Sequence, residues 1–363
     1  MGQSFGKNLK VTIFGSSHQE YMGVVIDNIK PGFEIDMKKL NEFMQRRAPG
    51  KSKFTTKRKE SDKINFISGL KGNKIISKTI TALIKNTDFK SNDYNNTNDI
   101  PRPSHADYTS FIKYGKDMDM NGGGPFSGRL TAPFCLAGGI AKQILEEKNI
   151  KISSRIKNIG GIFDINLDLA NPPMKDLEEI SYKEIPVLDE KKEAKIRKLL
   201  EDVRKKGDSI GGICQVFGEN IPKGLGEPIF DSFEAKISFL SFGIPGLRAI
   251  SFGEGLKSIK MRGSDHNDQF EIKNGKVKTI TNNAGGIVGG ITNGMPVVFD
   301  LIFKPTPSIS LCQKSFSIRD KKEKQLIIEG RHDPCFALRT LPIGESILAL
   351  TVLDYLYEQR LFT

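Results

Sequence analysis

Residues 342–359 read PIGESILALTVLDYLYEQ, and this stretch decides the fold. Pro342 suits the first turn of a helix, where its missing N–H has no intrahelical partner to lose. The middle, ILALTVL at 347–353, is apolar nearly all round, so the helix has no wet face and must be covered on every side. Working outward, Asp36 is placed to cap a helix carrying Met37, Leu40, Phe43 and Met44 on one face. That helix delivers Arg46 and Arg47 at its end, before Pro49-Gly50 stops it. Residues 189–206 carry Ile196, Leu199, Leu200 and Val203 as one stripe, with Gly207 as the terminating residue. Strand-like runs fall at 11–14, 23–29, 213–217 and 296–303. Helices and strands mix without strict alternation, so the fold class is α+β rather than doubly wound α/β. No Gly-x-Gly-x-x-Gly opens a helix after a strand, which argues against a dinucleotide fold. Gly-Gly-Ile recurs at 138, 160, 211, 285 and 289, but at irregular spacing, so no solenoid is implied. The polar tract 90–99 reads as an exposed loop, and no interdomain linker divides residues 1–363.

Charged residues make up 27% of the chain and hydrophobic ones 37%, the balance of a soluble globular protein rather than a disordered one. No run approaches a membrane span and the N-terminus lacks a signal-peptide core, so the cytoplasm is expected and a membrane is not. Cys135, Cys214, Cys312 and Cys335 are widely spaced, which fits reduced, mostly buried thiols and no metal site. The formal charge of +12 calls for an anionic partner. Nucleic acid is a poor candidate, because the Lys-rich runs 191–206 and 314–324 contain few aromatics and the chain has no Trp. Those runs read as solvated faces. Arg46, Arg47, Arg102, Arg129, Arg331 and Arg339 are more telling, since they sit beside Gly, Pro or His and present forks for phosphate or carboxylate.

Three of the four histidines lie in polar, Gly- or Pro-punctuated segments: His18 in FGSSHQ, His105 in PRPSHADYT and His332 in EGRHDPC. Histidine is the natural proton donor near neutral pH, and loops on a rigid scaffold are where catalytic groups concentrate. The run 121–129, NGGGPFSGR, resembles a phosphate cradle with Ser127 and a following helix, although it lacks the Gly-Lys-Ser/Thr of a P-loop. Residues 304–308, KPTPS, add a cation and two hydroxyls between stiffening prolines. In GRHDPC, Asp333 is placed to act as a base or to orient one, while Cys335 reads as a packed thiol rather than a nucleophile.

Taken together these segments resemble the chorismate synthase family. The resemblance runs in order through FGKNLKVTIFGSSH, RRAPGKSKFTTKRKESD, RPSHADYT, GGG-x-x-S-x-R, IPKGLGEPIFD, NNAGGIVGGITNGMP, KPTPSI and GRHDPC. It covers nearly the whole chain. It implies a β-α-β sandwich, with long internal helices between two antiparallel four-stranded sheets, assembled as a homotetramer. It also implies anti-1,4-elimination of phosphate from 5-enolpyruvylshikimate 3-phosphate to give chorismate in the shikimate pathway, using reduced FMN (FMNH2) with no net redox change.

Carried over by matching positions, His105 would protonate the leaving phosphate and His18 would protonate or stabilise the reduced flavin. Asp333 with Ser127 would assist proton abstraction through flavin N5. Flavin contacts would come from Pro125, Phe126, Ser127, Pro245, Gly246, Gly289, Lys304, Pro305, Thr306, Pro307, Ser308 and Arg331. Substrate anions would meet Arg46, Arg47, Lys53 and Arg129. No separate nicotinamide module is evident, which points to an external flavin reductase rather than direct use of NADPH. Ser16 and Gln19 stand where the family has Glu and Gly, Pro125-Phe126 where it often has Arg-Ser, and 241–251 matches irregularly. These departures leave open a flavin- or phosphate-binding paralogue without elimination activity.

Overall fold

The computed structural model describes residues 3–50, 54, 62–87, 99–115, 121–328 and 333–358. Lys53, Arg331, His332 and most of the tract 90–99 lie outside the described residues. The helices are α1 (Met37–Arg47), α2 (Asp107–Tyr114), α3 (Thr131–Glu146), α4 (Met174–Ile180), α5 (Glu190–Lys205), α6 (Phe233–Phe242), α7 (Gly263–His266) and α8 (Leu341–Glu358).

The stretch quoted first forms α8, in which every residue from Leu341 to Leu356 is buried. It is covered by α3 on one side and by the C-terminal sheet on the other, while α3 rests on the N-terminal sheet. Two helical layers therefore sit between two sheets, with α1 packed against both α3 and α8. One contiguous apolar cluster runs through all of these layers. The close approach of α3 to α8 depends on Gly138. A Cβ there would fall 2.1 Å from the Ser346 side chain and 2.6 Å from its Cα.

Both large sheets are antiparallel and five-stranded, not four-stranded as expected. The N-terminal sheet orders Ser4–Phe5, Lys10–Gly15, Tyr21–Asp27, Thr79–Lys85 and Ile64–Ser68. The C-terminal sheet orders Leu247–Phe252, Val297–Phe303, Gly212–Glu219, Lys151–Ile159 and Ile162–Phe163. In each sheet the additional strand is a two-residue edge, too short to show a period in sequence. The N-terminal sheet is one-sided: Ile80, Ala82 and Ile84 point inward and alternate with half-buried Thr79, Thr81 and Leu83. The C-terminal sheet is buried on both faces, because α4 covers its outer side with Met174, Leu177 and Ile180.

The expected Asp36 cap is present, and Asp189 adds one to α5. The Asp36 carboxylate accepts from the N–H groups of Lys38 and Lys39, and that of Asp189 accepts from Lys191 and Lys192. Gly207 adopts a φ of +67° after α5. Cys135, Cys214 and Cys335 are buried and Cys312 is exposed. Among the described residues no helix is long and apolar enough to cross a membrane.

Candidate active site

A cleft of about 510 Å³ opens where five segments meet. These are the loop before α2, the glycine loop before α3, the exit of α6, the exit of strand Val297–Phe303, and the turn before α8. Five cations line it (Arg102, Arg129, Arg248, Lys304 and Arg339) against one carboxylate, Asp333, among the described residues. The apolar part of the wall includes Phe126, Ile244, Leu247 and Phe336. This is the composition expected for an aromatic ligand together with several negative charges.

Of the sequence-predicted residues, His105, Ser127, Asp333, Pro125, Phe126, Pro245, Gly246, Lys304, Pro305, Thr306, Pro307, Ser308 and Arg129 line this cleft. The glycine loop turns as a 3-10 segment through Pro125, and the Ser127 hydroxyl accepts from Arg129 N–H at 3.3 Å before α3 begins. Gly123 adopts a φ of +92°, and a Cβ there would lie 3.3 Å from His105 Cε1. The loop therefore closes on the imidazole as only glycine allows.

His105 is held from behind. Its Nδ1 is 2.6 Å from Asp107 Oδ1, which assigns the proton to Nδ1 and leaves Nε2 for a ligand. Arg102 grips the same carboxylate through Nε and Nη2, both at 2.7 Å, and reaches Ser308 Oγ at 3.2 Å. Burial would raise the Asp107 pKa, but the hydrogen bonds from Arg102 and His105 hold it well below the usual carboxylate range. Burial lowers the His105 pKa, the Asp107 hydrogen bond opposes this, and Arg102 lowers it further, so the imidazole is neutral at pH 7. Burial and then Arg248 lower the Lys304 pKa. The Lys304 ammonium donates to the Ser104 carbonyl, tying the strand exit to the His105 loop.

A second constellation sits beside Arg129. The carboxylate of Asp62 is fully buried between Arg129 and Arg47 and pairs with both. Burial would raise its pKa, but the two guanidinium groups lower it. Arg339 donates to the Arg47 carbonyl at 3.0 Å and to Asp333 Oδ2 at 2.7 Å. The base candidate is thereby linked to the arginines behind the cleft.

Among the described residues, four expected site residues do not line the cleft. Arg46 is spent on Glu345, at 3.1 and 2.6 Å, because that carboxylate in the middle of α8 needs compensating charge. Arg47 is buried behind the wall on Asp62. Gly289 is the tip of the hairpin formed by Ile287–Val288 and Ile291–Thr292. That hairpin is hydrogen-bonded to the start of α6, whereas the cleft takes the end of α6. His18 turns Nδ1 to Ser17 Oγ at 3.0 Å, and its Nε2 is shielded from solvent.

The sequence reading missed Asp62 and Asn86, which hold Arg129, and Asp107, which holds His105. For Asp107 a signal existed, since an acid two residues after a histidine can turn back to its ring. Asp62 and Asn86 reach the site from distant segments, with no local pattern to mark them.

The chorismate synthase family model matches residues 9–357. Curated relatives named chorismate synthase include one from Lancefieldella parvula, 39% identical over 99% of this chain and 97% of its own length. Another, from Pyrococcus abyssi, is 40% identical over 98% of both chains. A crystal structure of chorismate synthase superposes with a TM-score of 0.78 at 24% identity, covering 98% of this chain and 93% of that one, and supports the fold. With a family match across nearly all of its length, the chain belongs to the chorismate synthase family and is a lyase.

Proposed function

We propose that the cleft binds 5-enolpyruvylshikimate 3-phosphate beside reduced FMN and catalyses anti-1,4-elimination to chorismate. The observation that carries this reading is that, among the described residues, five cations line the cleft with His105 against a single carboxylate. Residues fit for the flavin are present: an apolar wall with Phe126 and Phe336, Gly246 at a φ of +82°, and hydroxyls and a cation along 304–308. Pro125, Ser127, Pro245 and Gly246 would complete that contact. Reduced FMN, when bound, supplies electron density to the allylic system as the phosphate departs.

In the elimination the C6–H bond and the C3–O bond break. The C6–H electrons form the C1=C6 double bond, the C1=C2 pair moves to C2=C3, and phosphate leaves with the C3–O pair, so no net oxidation occurs. His105 is neutral before the substrate arrives. A phosphate dianion beside Nε2 raises its pKa, so the ring takes a proton from solvent and donates it to the leaving oxygen. Asp107 fixes the tautomer and balances the imidazolium. Asp333 and Ser127 share the cleft, and Asp333, aimed by Arg339, assists with Ser127 in removing the C6 proton. Arg129 meets the substrate anions, and Arg102 and Arg339 add positive field. His18, behind the wall, serves the flavin side.

The whole described chain acts as one unit, a homotetramer in the cytoplasm, with FMN reduced by an external reductase. The tetramer is supported by apolar side chains left in water around α6, where Phe230 is 94% and Phe239 68% exposed. The decisive experiment incubates the protein anaerobically with dithionite-reduced FMN and 5-enolpyruvylshikimate 3-phosphate. Chorismate absorbance should rise in step with released phosphate. Tight flavin binding without turnover would instead identify a paralogue, for which Ser16, Gln19 and Pro125 provide the motive.

A further inference from the structure

The strand pairing carries one residue to a place that no motif marks. Strand Thr79–Lys85 runs beside Tyr21–Asp27, with Lys85 opposite Tyr21. The next residue, Asn86, therefore lies against the loop that holds His18, and its N–H donates to the Glu20 carbonyl at 2.9 Å. Its side chain is 2% exposed. The amide nitrogen donates to Ser16 O at 3.1 Å and to Gln19 O at 2.6 Å, the carbonyls on either side of Ser17-His18. The amide oxygen accepts from Arg129 Nε at 3.1 Å. No other orientation of the amide satisfies all three contacts, because the flipped group would set its oxygen against two carbonyls and its N–H bonds against a guanidinium.

We infer that Asn86 is a positioning residue that locks the His18 loop to Arg129, so that the arginine on the cleft wall and the histidine behind it move as one piece. Ser17, whose hydroxyl meets His18 Nδ1, is clamped between the two carbonyls that Asn86 holds. Arg129 is fixed at its other end by Asp62. A ligand anion that draws Arg129 forward thus pulls on the segment that sets His18. The inference rests on the assignment of His18 to the flavin side, but the link itself is a property of the folded chain.

The test reads the link without turnover. Hydrogen–deuterium exchange at the Cε1–H of each histidine, followed by mass spectrometry across pH, titrates His18 and His105 separately. In Asn86→Asp and Asn86→Ala the His18 midpoint should move by roughly half a pH unit or more, with that of His105 unchanged. Arg129→Lys, which keeps the charge, should also move the His18 midpoint, through Asn86. With flavin and substrate, Asn86→Asp should lower kcat about 10- to 100-fold, as for other lost orienting partners. The same change made in Arg129→Lys should cost much less. Folded variants with unmoved His18 midpoints would overturn the inference, as would equal movement of His18 and His105, which signals general loosening. If both Asn86 variants fail to fold, Arg129→Lys alone decides. Absence of lyase activity in the parent protein would count against the functional reading and leave the histidine result standing.

Discussion

At the scale of single residues, the site is a set of charges held by other charges. The proton donation proposed for His105 needs a proton kept on Nδ1 and an open Nε2, and the Asp107 contact at Nδ1 favours both. In Asp107→Asn the amide still fits, but the counter-charge for the imidazolium is gone. Turnover should fall by about 10- to 100-fold, while flavin affinity changes little. His105→Ala should lower turnover further. Steady-state kinetics beside flavin titration checks both, and wild-type turnover in either variant would contradict the assignment. The sign of the pH effect on folding follows from the lowered His105 pKa. Between its folded value and the ordinary 6.5, the unfolded chain binds more protons. This group therefore removes stability as pH falls through that window and is silent above it.

At the scale of elements, α8 shows what the sequence discloses and what it hides. Its all-round apolar middle fixed its place between layers, and the Asp36 cap and the stripe ending at Gly207 located α1 and α5 to within a residue. Glu345 in the same helix held a message that local pattern does not convey. A carboxylate among ILALTVL-type neighbours requires cations from elsewhere, and the structure supplies Arg46 and Lys142, with Ser154 as a third donor. This is why Arg46, which reads as a substrate ligand beside Arg47, faces Glu345 and not the cleft. The same limit explains Asp62 and Asn86, whose partners are set by sheet topology and not by spacing. Burial would raise the Glu345 pKa, yet Arg46 and Lys142 bring it to about 2. Replacing it by Gln strands two buried cations and should cost about 3–5 kcal/mol. Because the folded pKa is depressed, this contribution is complete above the ordinary carboxylate range and fades as pH falls toward 2. Urea unfolding of wild type and Glu345→Gln should therefore differ most at neutral pH and converge in acid. An equal difference at both would exclude the ion cluster as its source.

At the scale of the whole molecule, the cleft stands where segments from both halves of the chain converge, and ligands and fold share their supports. Three thiols are distributed over that frame: Cys135 within α3, Cys214 in the C-terminal sheet, and Cys335 two residues from Asp333. Burial pushes the Cys135 and Cys335 thiols up to about 12, and that of Cys214 upward as well. Only Cys312 meets water. A disulfide reagent should therefore modify one group promptly in the native protein and four in denaturant, since only an exposed thiolate attacks. The slow three form a built-in chemical clock, each ticking when its own region opens. A ligand that fills the cleft should retard Cys335 alone, so the molecule carries, without any added label, a means to time the breathing of its site apart from the unfolding of its core.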